Sequence, residues 1–407
     1  MNEVAPIQAE SLASYVERAR QWLDSVTPRF GSDAQRGLET EAWVALAPAY
    51  QKEKAAAGFA CITLPREFGG GGGTEIQKIL FGQEEFKRGM PWGFYGVSLG
   101  MPVPMLLRYG EKDAIDRLVP PSIRGELLWC QLFSEPAAGS DLAALRTRAV
   151  RDGDGWRITG QKLWTSWAQY ADYAIAVVRT DPTVPKHAGL TFFWLDMKSP
   201  GVEVRTVRKL AGENEINEVF LDNVYVPDSQ RMGAVGDGFK VAIETLMIER
   251  YAVGDDAMGG PSLELFAARA ASARINGRPA LEDGQVRAAL ADALVERQGL
   301  RSIHRRALTA IGQGKEPGPE GSIRKLRLGH RRQILGQLLL DLLGPDGVRL
   351  DPSEVAATDA AWSWITVPGG RIAGGTDEIL RNTIAEKILG LPQDYRPDKK
   401  VPFNQIP

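Results

Sequence analysis

The sequence predicts an α+β protein in which a helical segment, a strand-rich segment and a second helical segment follow one another. The first observation is spacing: SLASYVERARQWLDSV and EIQKILFGQEEFKRG place apolar residues three and four apart. Residues from about 8 to 125 therefore read as helices interrupted by Gly- and Pro-rich turns. The second is a change of texture at about 127, where LLWCQLF, GWRITGQKLWTS, YAIAVVRT, LTFFWLDM, VEVRTV and EVFLDNVYV are short β-branched and aromatic runs between turn residues. Within them, RDGDGWRI reads as a hairpin because its Asp-Gly pair supplies the positive φ of a tight turn. The third is the return of helical spacing at Phe239, which runs to about Leu389 with breaks at NGRP (276–279) and GKEPGPEG (314–321). The expected divisions are 1–125 (helical), 126–235 (β), 236–395 (helical bundle) and a tail, 396–407.

Composition excludes several classes. The chain has 407 residues, 43% hydrophobic and 25% charged, the balance of an ordinary globular protein. Its 49 basic and 51 acidic residues leave a formal charge of −2, so nothing global draws it to nucleic acid or an anionic membrane. Two distant cysteines, Cys61 and Cys130, suggest neither zinc nor a disulfide and fit a reducing cytoplasm. MNEVAPIQAE has no apolar h-region, and YAIAVV and FFWL are too short to span a bilayer, so a cytoplasmic protein without a membrane span is expected.

Few residues suggest hydrolytic or phosphate chemistry. GxGxxG, GxxxxGK[ST], GxSxG and HExxH do not occur, and the alternating βαβ units of a doubly wound fold are missing. The Gly69–Gly73 run is expected to be a flexible turn rather than a phosphate loop. The histidines His187, His304 and His330 are expected to be structural or solvated. More informative is FSEPAAGSDLAALRTRA (133–149), where Ser134, Gly139 and Ser140 offer hydroxyls and approachable backbone N–H groups at a strand end. They suit either a flat heterocycle with a pyrophosphate or a self-satisfied turn. In GQKLWTSW, Trp164, Thr165 and Ser166 set an aromatic face beside two hydroxyls, or are simply core. On the helix around VAIETLMIERYAVG, Phe239, Ile243, Leu246, Arg250 and Val253 form one stripe with Glu249 at its margin. A carboxylate against apolar neighbours is either half of a structural ion pair or a general base with a raised pKa.

Together these segments resemble the acyl-CoA dehydrogenases, an FAD-dependent family. The resemblance spans nearly the whole chain, through LPREFGG (64–70), LLRYGEKD (106–113), WCQLFSEPAAGSDLA (129–143), GQKLWTSWAQYADY (160–173) and GGTDEILRNTIAEKILGLP (374–392). It implies an N-terminal helical domain, a middle β domain and a C-terminal four-helix bundle, assembled as an oligomer. By position, Gln131, Phe133 and Ser134 resemble the strand end lining the flavin, with Ser134 on the pyrimidine edge. Gly139 and Ser140 resemble contacts to the FAD pyrophosphate and the acyl-CoA, Trp164, Thr165 and Ser166 the wall beside flavin N5, and Thr376 and Glu378 the C-terminal FAD loop. The implied reaction removes the α-proton of an acyl thioester and transfers hydride from Cβ to the flavin, giving a trans-2-enoyl-CoA. Electron-transfer flavoprotein is the implied acceptor.

The chain departs from the family's commonest pattern at two places. Many members carry the catalytic Glu immediately before the C-terminal Gly-Thr, where this chain has Gly374. Glu249, followed by Arg250, matches the alternative location, seen in members similar to isovaleryl-, long-chain and steroid side-chain enzymes. The resemblance thus implies Glu249 as base, Arg250 near the acyl-CoA, and a roomier pocket for branched, cyclic or steroid-type groups. The family's cross-subunit FAD contacts are altered as well: Ala273 replaces an Arg and Asp341 a Gln, which points to a heterotetramer with a related chain as an alternative to a homo-oligomer. Competing readings are a flavin monooxygenase on the same fold and a non-catalytic partner subunit.

Overall fold

The computed structural model describes residues 10–212, 214–252, 263–313, 318–348 and 355–406. The chain divides into two compact units, Met1–Trp129 and Cys130–Pro407.

In the first unit the described helices are α1 (Leu12–Phe30), α2 (Ser32–Gln35), α3 (Thr40–Ala56), α4 (Glu75–Lys87), α5 (Gly96–Gly100), α6 (Pro102–Tyr109) and α7 (Lys112–Ile123). Ser11 caps α1 by accepting from Ser14 N–H, and Thr74 with Gln77 forms a capping box on α4. The stripe of α1 is buried as its spacing predicts: Tyr15, Ala19, Leu23, Val26 and Phe30 pack with Tyr50, Phe59, Ile62 and Phe81. Phe59 and Phe81 stack at 4.7 Å, and full burial of such a side chain is worth about 1.5–3 kcal/mol.

The glycine run is not flexible. The N–H groups of Gly70, Gly71, Gly72 and Gly73 donate to the carbonyls of Pro65, Cys61, Leu64 and Ile62. A Cβ on Gly70 would meet Leu64 O at 2.3 Å, and Gly69 sits at φ +91°. Close backbone approach, not phosphate binding, explains these glycines, because four of their N–H donors are already spent.

In the second unit the strands are β1 (Trp129–Leu132), β2 (Arg148–Asp152), β3 (Gly155–Ser166), β4 (Tyr173–Arg179), β5 (Leu190–Asp196), β6 (Val202–Val207) and β7 (Ile216–Pro227). They form one sheet in the order β1-β4-β2-β3-β7-β6, with β5 antiparallel to β4. The expected hairpin joins β2 to β3 through a two-residue loop, with Gly153 at φ +60°. Alternate residues fill the core, among them Trp156, Ile158, Val219, Leu221, Val224 and Val226. The strand β3 is bulged: between Lys162 and Thr165 it spends one more residue than β7 opposite, and Trp164 there has φ +65°.

The helices that follow are α8 (Gly238–Ala252) and α9 (Leu263–Ser272), then the hairpin β8 (Arg274–Ile275) and β9 (Arg278–Pro279), then α10 (Gly284–Gly312), α11 (Gly321–Leu343), α12 (Val355–Gly370) and α13 (Asp377–Lys387). Four of them share a core, with Phe266 from α9, Ala293 from α10, Leu335 and Leu339 from α11, and Ala360 from α12. This is the expected bundle. Helix α8 packs instead on β5, which corrects its expected stripe. Val241, Ala242 and Thr245 are buried, Phe239 and Leu246 are half-buried, and Ile243 is 42% exposed. The NGRP break is a tight hairpin with Asn276 and Gly277 at φ +51° and +78°.

Candidate active site

The strand ends gather the residues singled out in the first two motifs. At the end of β1, Ser134 O accepts from Leu163 N–H at 2.9 Å, so the bulge of β3 is tied to the Ser134 strand end. Phe133 is buried and Ser134 half-buried; beyond the bulge Thr165 is buried, Ser166 half-buried, and Trp164 stands 61% exposed. A bulky residue at positive φ is costly, and such strain concentrates where a side chain must be aimed. Gly139 and Ser140 lie exposed in the loop after Glu135, with no heavy atom within 4 Å of where a Gly139 Cβ would stand.

Beneath these ends lies a group that spacing alone did not single out. Lys162 is fully buried, and its Nζ donates to Phe133 O at 3.0 Å, Val177 O at 2.9 Å and Glu135 Oε1 at 2.9 Å. The Glu135 carboxylate also accepts from Arg146 N–H at 2.6 Å and Thr147 N–H at 2.9 Å. Burial would raise the Glu135 pKa, but the Lys162 charge and these donors hold it below the usual carboxylate range. Arg179, also buried, donates to Leu145 O at 3.1 Å and Ala143 O at 2.6 Å in the same loop. A lysine among apolar strand residues was the available signal.

The C-terminal loop forms a second cluster, held by α11 and α13. Thr376 caps α13 by accepting from Ile379 N–H, and the buried Asp377 accepts from Arg371 Nε at 2.7 Å and lies 3.0 Å from His330 Nε2. Lys325 donates to Gly375 O. Glu378 is exposed, 3.7 Å from Arg381. Gly374, at φ +64°, is exposed, with no heavy atom within 4 Å of a would-be Cβ. Glu249 and Arg250 belong to the last turn of α8, but their side chains lie outside the described residues, and so does Val253. Among the described residues no group of His, Cys, Asp or Glu could hold a metal ion, and no helix is long and apolar enough to cross a membrane.

Three family descriptions cover nearly the whole chain. "Acyl-CoA dehydrogenase, N-terminal domain" matches residues 14–126, the middle domain 130–224 and the C-terminal domain 236–389. This chain belongs to the acyl-CoA dehydrogenase family. Over 291 residues, 71% of the chain, it is 42% identical to acyl-CoA dehydrogenase FadE34 of Mycobacterium tuberculosis, of whose length the match spans 39%. It is 33% identical to acyl-CoA dehydrogenase IpdE1 of Mycolicibacterium smegmatis over 93% of this chain and 97% of that one. The solved structure "Tcur3481-Tcur3483 steroid ACAD" is similar at 26% identity and a TM-score of 0.79, covering 94% of this chain and 98% of that one. The fold expected from the resemblance is thereby the fold found.

FAD is the cofactor of this family, and the strand ends fit such a ligand. Gln131 Nε2 in β1, just before Ser134, and Thr165 Oγ1 in β3, next to Trp164, are buried side-chain atoms without a hydrogen-bond partner. An unsatisfied buried polar group costs about 1–3 kcal/mol, so a heterocycle rich in carbonyls and ring nitrogens suits this place.

Proposed function

We propose that this protein desaturates a steroid-type, cyclic or branched acyl-CoA between Cα and Cβ, with Glu249 as the base. The observation that carries the reading is Gly374: the loop position that holds the base in many family members has no side chain and opens onto free space. The proton acceptor must then come from another element, and Glu249 lies in the last turn of α8, a helix in which Ile243 and Met247 are exposed apolar residues. Similarity to a structure described as a steroid ACAD supports a bulky substrate.

In this reading Ser134, with Gln131 and Phe133 beside it, lines the flavin edge. Trp164, Thr165 and Ser166 wall the ring, and Gly139 and Ser140 take the pyrophosphate and the thioester end. Thr376 and Glu378 complete the cofactor site, and Arg250 lies near the acyl-CoA. Glu249 would take the α-proton and bound FAD would supply the acceptor for the Cβ hydride, the two losses that give a trans-2-enoyl thioester; electron-transfer flavoprotein is the expected acceptor of the electrons. The working assembly is an oligomer, of this chain alone or of this chain with a related one. The two-component name of the similar steroid enzyme supports the second arrangement, as do Ala273 and Asp341, the latter accepting from Gln337 within its own helix at 2.9 Å.

The test is an anaerobic titration of the yellow protein with straight, branched and steroid-type acyl-CoAs, followed by the visible flavin band. Bleaching by the bulky thioesters is expected, and Glu249→Gln should keep stoichiometric FAD while its reduction rate falls by about 10³-fold or more, as only the proton acceptor is lost. Near-normal bleaching of that variant would assign the base elsewhere. Bleaching by short straight chains alone would remove the bulky-substrate reading.

A further inference from the structure

We propose that Lys162 and Glu135 are positioning residues for the FAD site, a role that rests on the cofactor reading above. The Lys162 ammonium has three acceptors and each matters to that site: Phe133 O immediately precedes Ser134, the Glu135 carboxylate immediately follows it, and Val177 O anchors the arrangement to β4. Ser134 itself is bonded through its carbonyl to Leu163, the residue between Lys162 and Trp164. One buried cation therefore fixes both neighbours of Ser134 from the strand that carries Trp164, Thr165 and Ser166. Through Arg146 N–H and Thr147 N–H, the same carboxylate closes the loop containing Gly139 and Ser140. The Ser134 strand end, the start of the bulge and the Gly139–Ser140 loop thus meet at this pair.

Stability does not explain it. Taking two charges out of water is costly, and replacing a buried pair by apolar groups is often neutral or stabilising. What the pair does supply is geometry, because β3 is bulged at Leu163 and Trp164 and the regular ladder that would otherwise set their register is broken there.

The test separates folding from cofactor binding by using apoprotein stripped of FAD. The first variant is Glu135→Gln/Lys162→Met, which leaves no unpaired buried charge; the second is Glu135→Asp, which keeps both charges but draws the carboxylate back by one methylene. For each, apoprotein melting and FAD affinity by fluorescence titration are measured, with the shape of the bound flavin's visible band. The expected result is a melting temperature close to wild type, FAD binding weakened about ten-fold or more in the double variant and less in Glu135→Asp, and an altered flavin band. Wild-type affinity and band shape in either folded variant would overturn the proposal. So would loss of the fold in both, because the pair would then hold the domain rather than the site. Failure of the wild-type apoprotein to take up FAD would instead be a failure of the cofactor reading, visible before any variant is made.

Discussion

Trp164 shows in one residue how a local cost can serve a site. At φ +65° it occupies a region that costs an L-residue about 1–2 kcal/mol, and with 61% of its surface exposed it recovers little of that by burial. Glycine adopts the same backbone freely, so Trp164→Gly is expected to leave the apoprotein's melting temperature unchanged or slightly raised. The FAD affinity of that variant should fall at the same time, since the ring wall is gone. A variant that melts lower and binds FAD normally would make Trp164 a packing residue. At Gly374 the opposite economy holds, with a strained φ given to the one residue that bears it without penalty.

Among the elements, those with a strong local pattern were legible in the sequence and those fixed by distant partners were not. The stripe of α1, the β2–β3 hairpin and the bundle follow from spacing and turn chemistry. Helix α8 did not, because it is apolar on more than one side: which of Ile243 or Val241 turns inward is decided by the packing of α8 on β5. The Ser134 and Trp164 segments were recognisable by motif, yet nothing near them in sequence showed that Lys162 reaches three acceptors across β1 and β4. The tail was equally opaque. It is short and polar, but it docks: Phe403 N–H and Asn404 N–H donate to Val184 O and Pro182 O at 2.9 Å, and the Arg179 guanidinium sits 3.5 Å from the Phe403 ring centre. Lys186 joins the tail to the Ser140 loop, 2.5 Å from Asp398 and 2.6 Å from Asp141.

That docking has a pH dependence whose sign follows from Asp398. The bond from Lys186 holds its carboxyl below the ordinary value. The contribution of the pair is therefore complete above the pKa of a free aspartate and is lost as pH falls through the lower docked value. Protection factors for amide exchange in residues 180–189, taken relative to the intrinsic rate at each pH, should fall in acid, and truncation after Arg396 should lower them in the same way at neutral pH. Unchanged exchange in the truncated chain would mean that the loop holds itself.

At the scale of the whole molecule the relevant surface is on the bundle. Ile334 on α11 is 55% exposed and Trp364 on α12 is 48% exposed. They share a face, because Trp364 Nε1 donates to Gln337, one turn from Ile334, at 2.7 Å. Large apolar side chains gathered on one face commonly mark an interface. The expectation is a species at least twice the 44.5 kDa of one chain when mass is measured by light scattering on the eluting protein. Ile334→Glu together with Trp364→Glu should shift it toward a single chain, since unpaired charges at a packed interface cost several kcal/mol. If the purified chain alone scatters as one subunit and doubles only beside a co-expressed relative, the same face is the heteromeric one. An oligomer indifferent to both substitutions would place the interface on another surface.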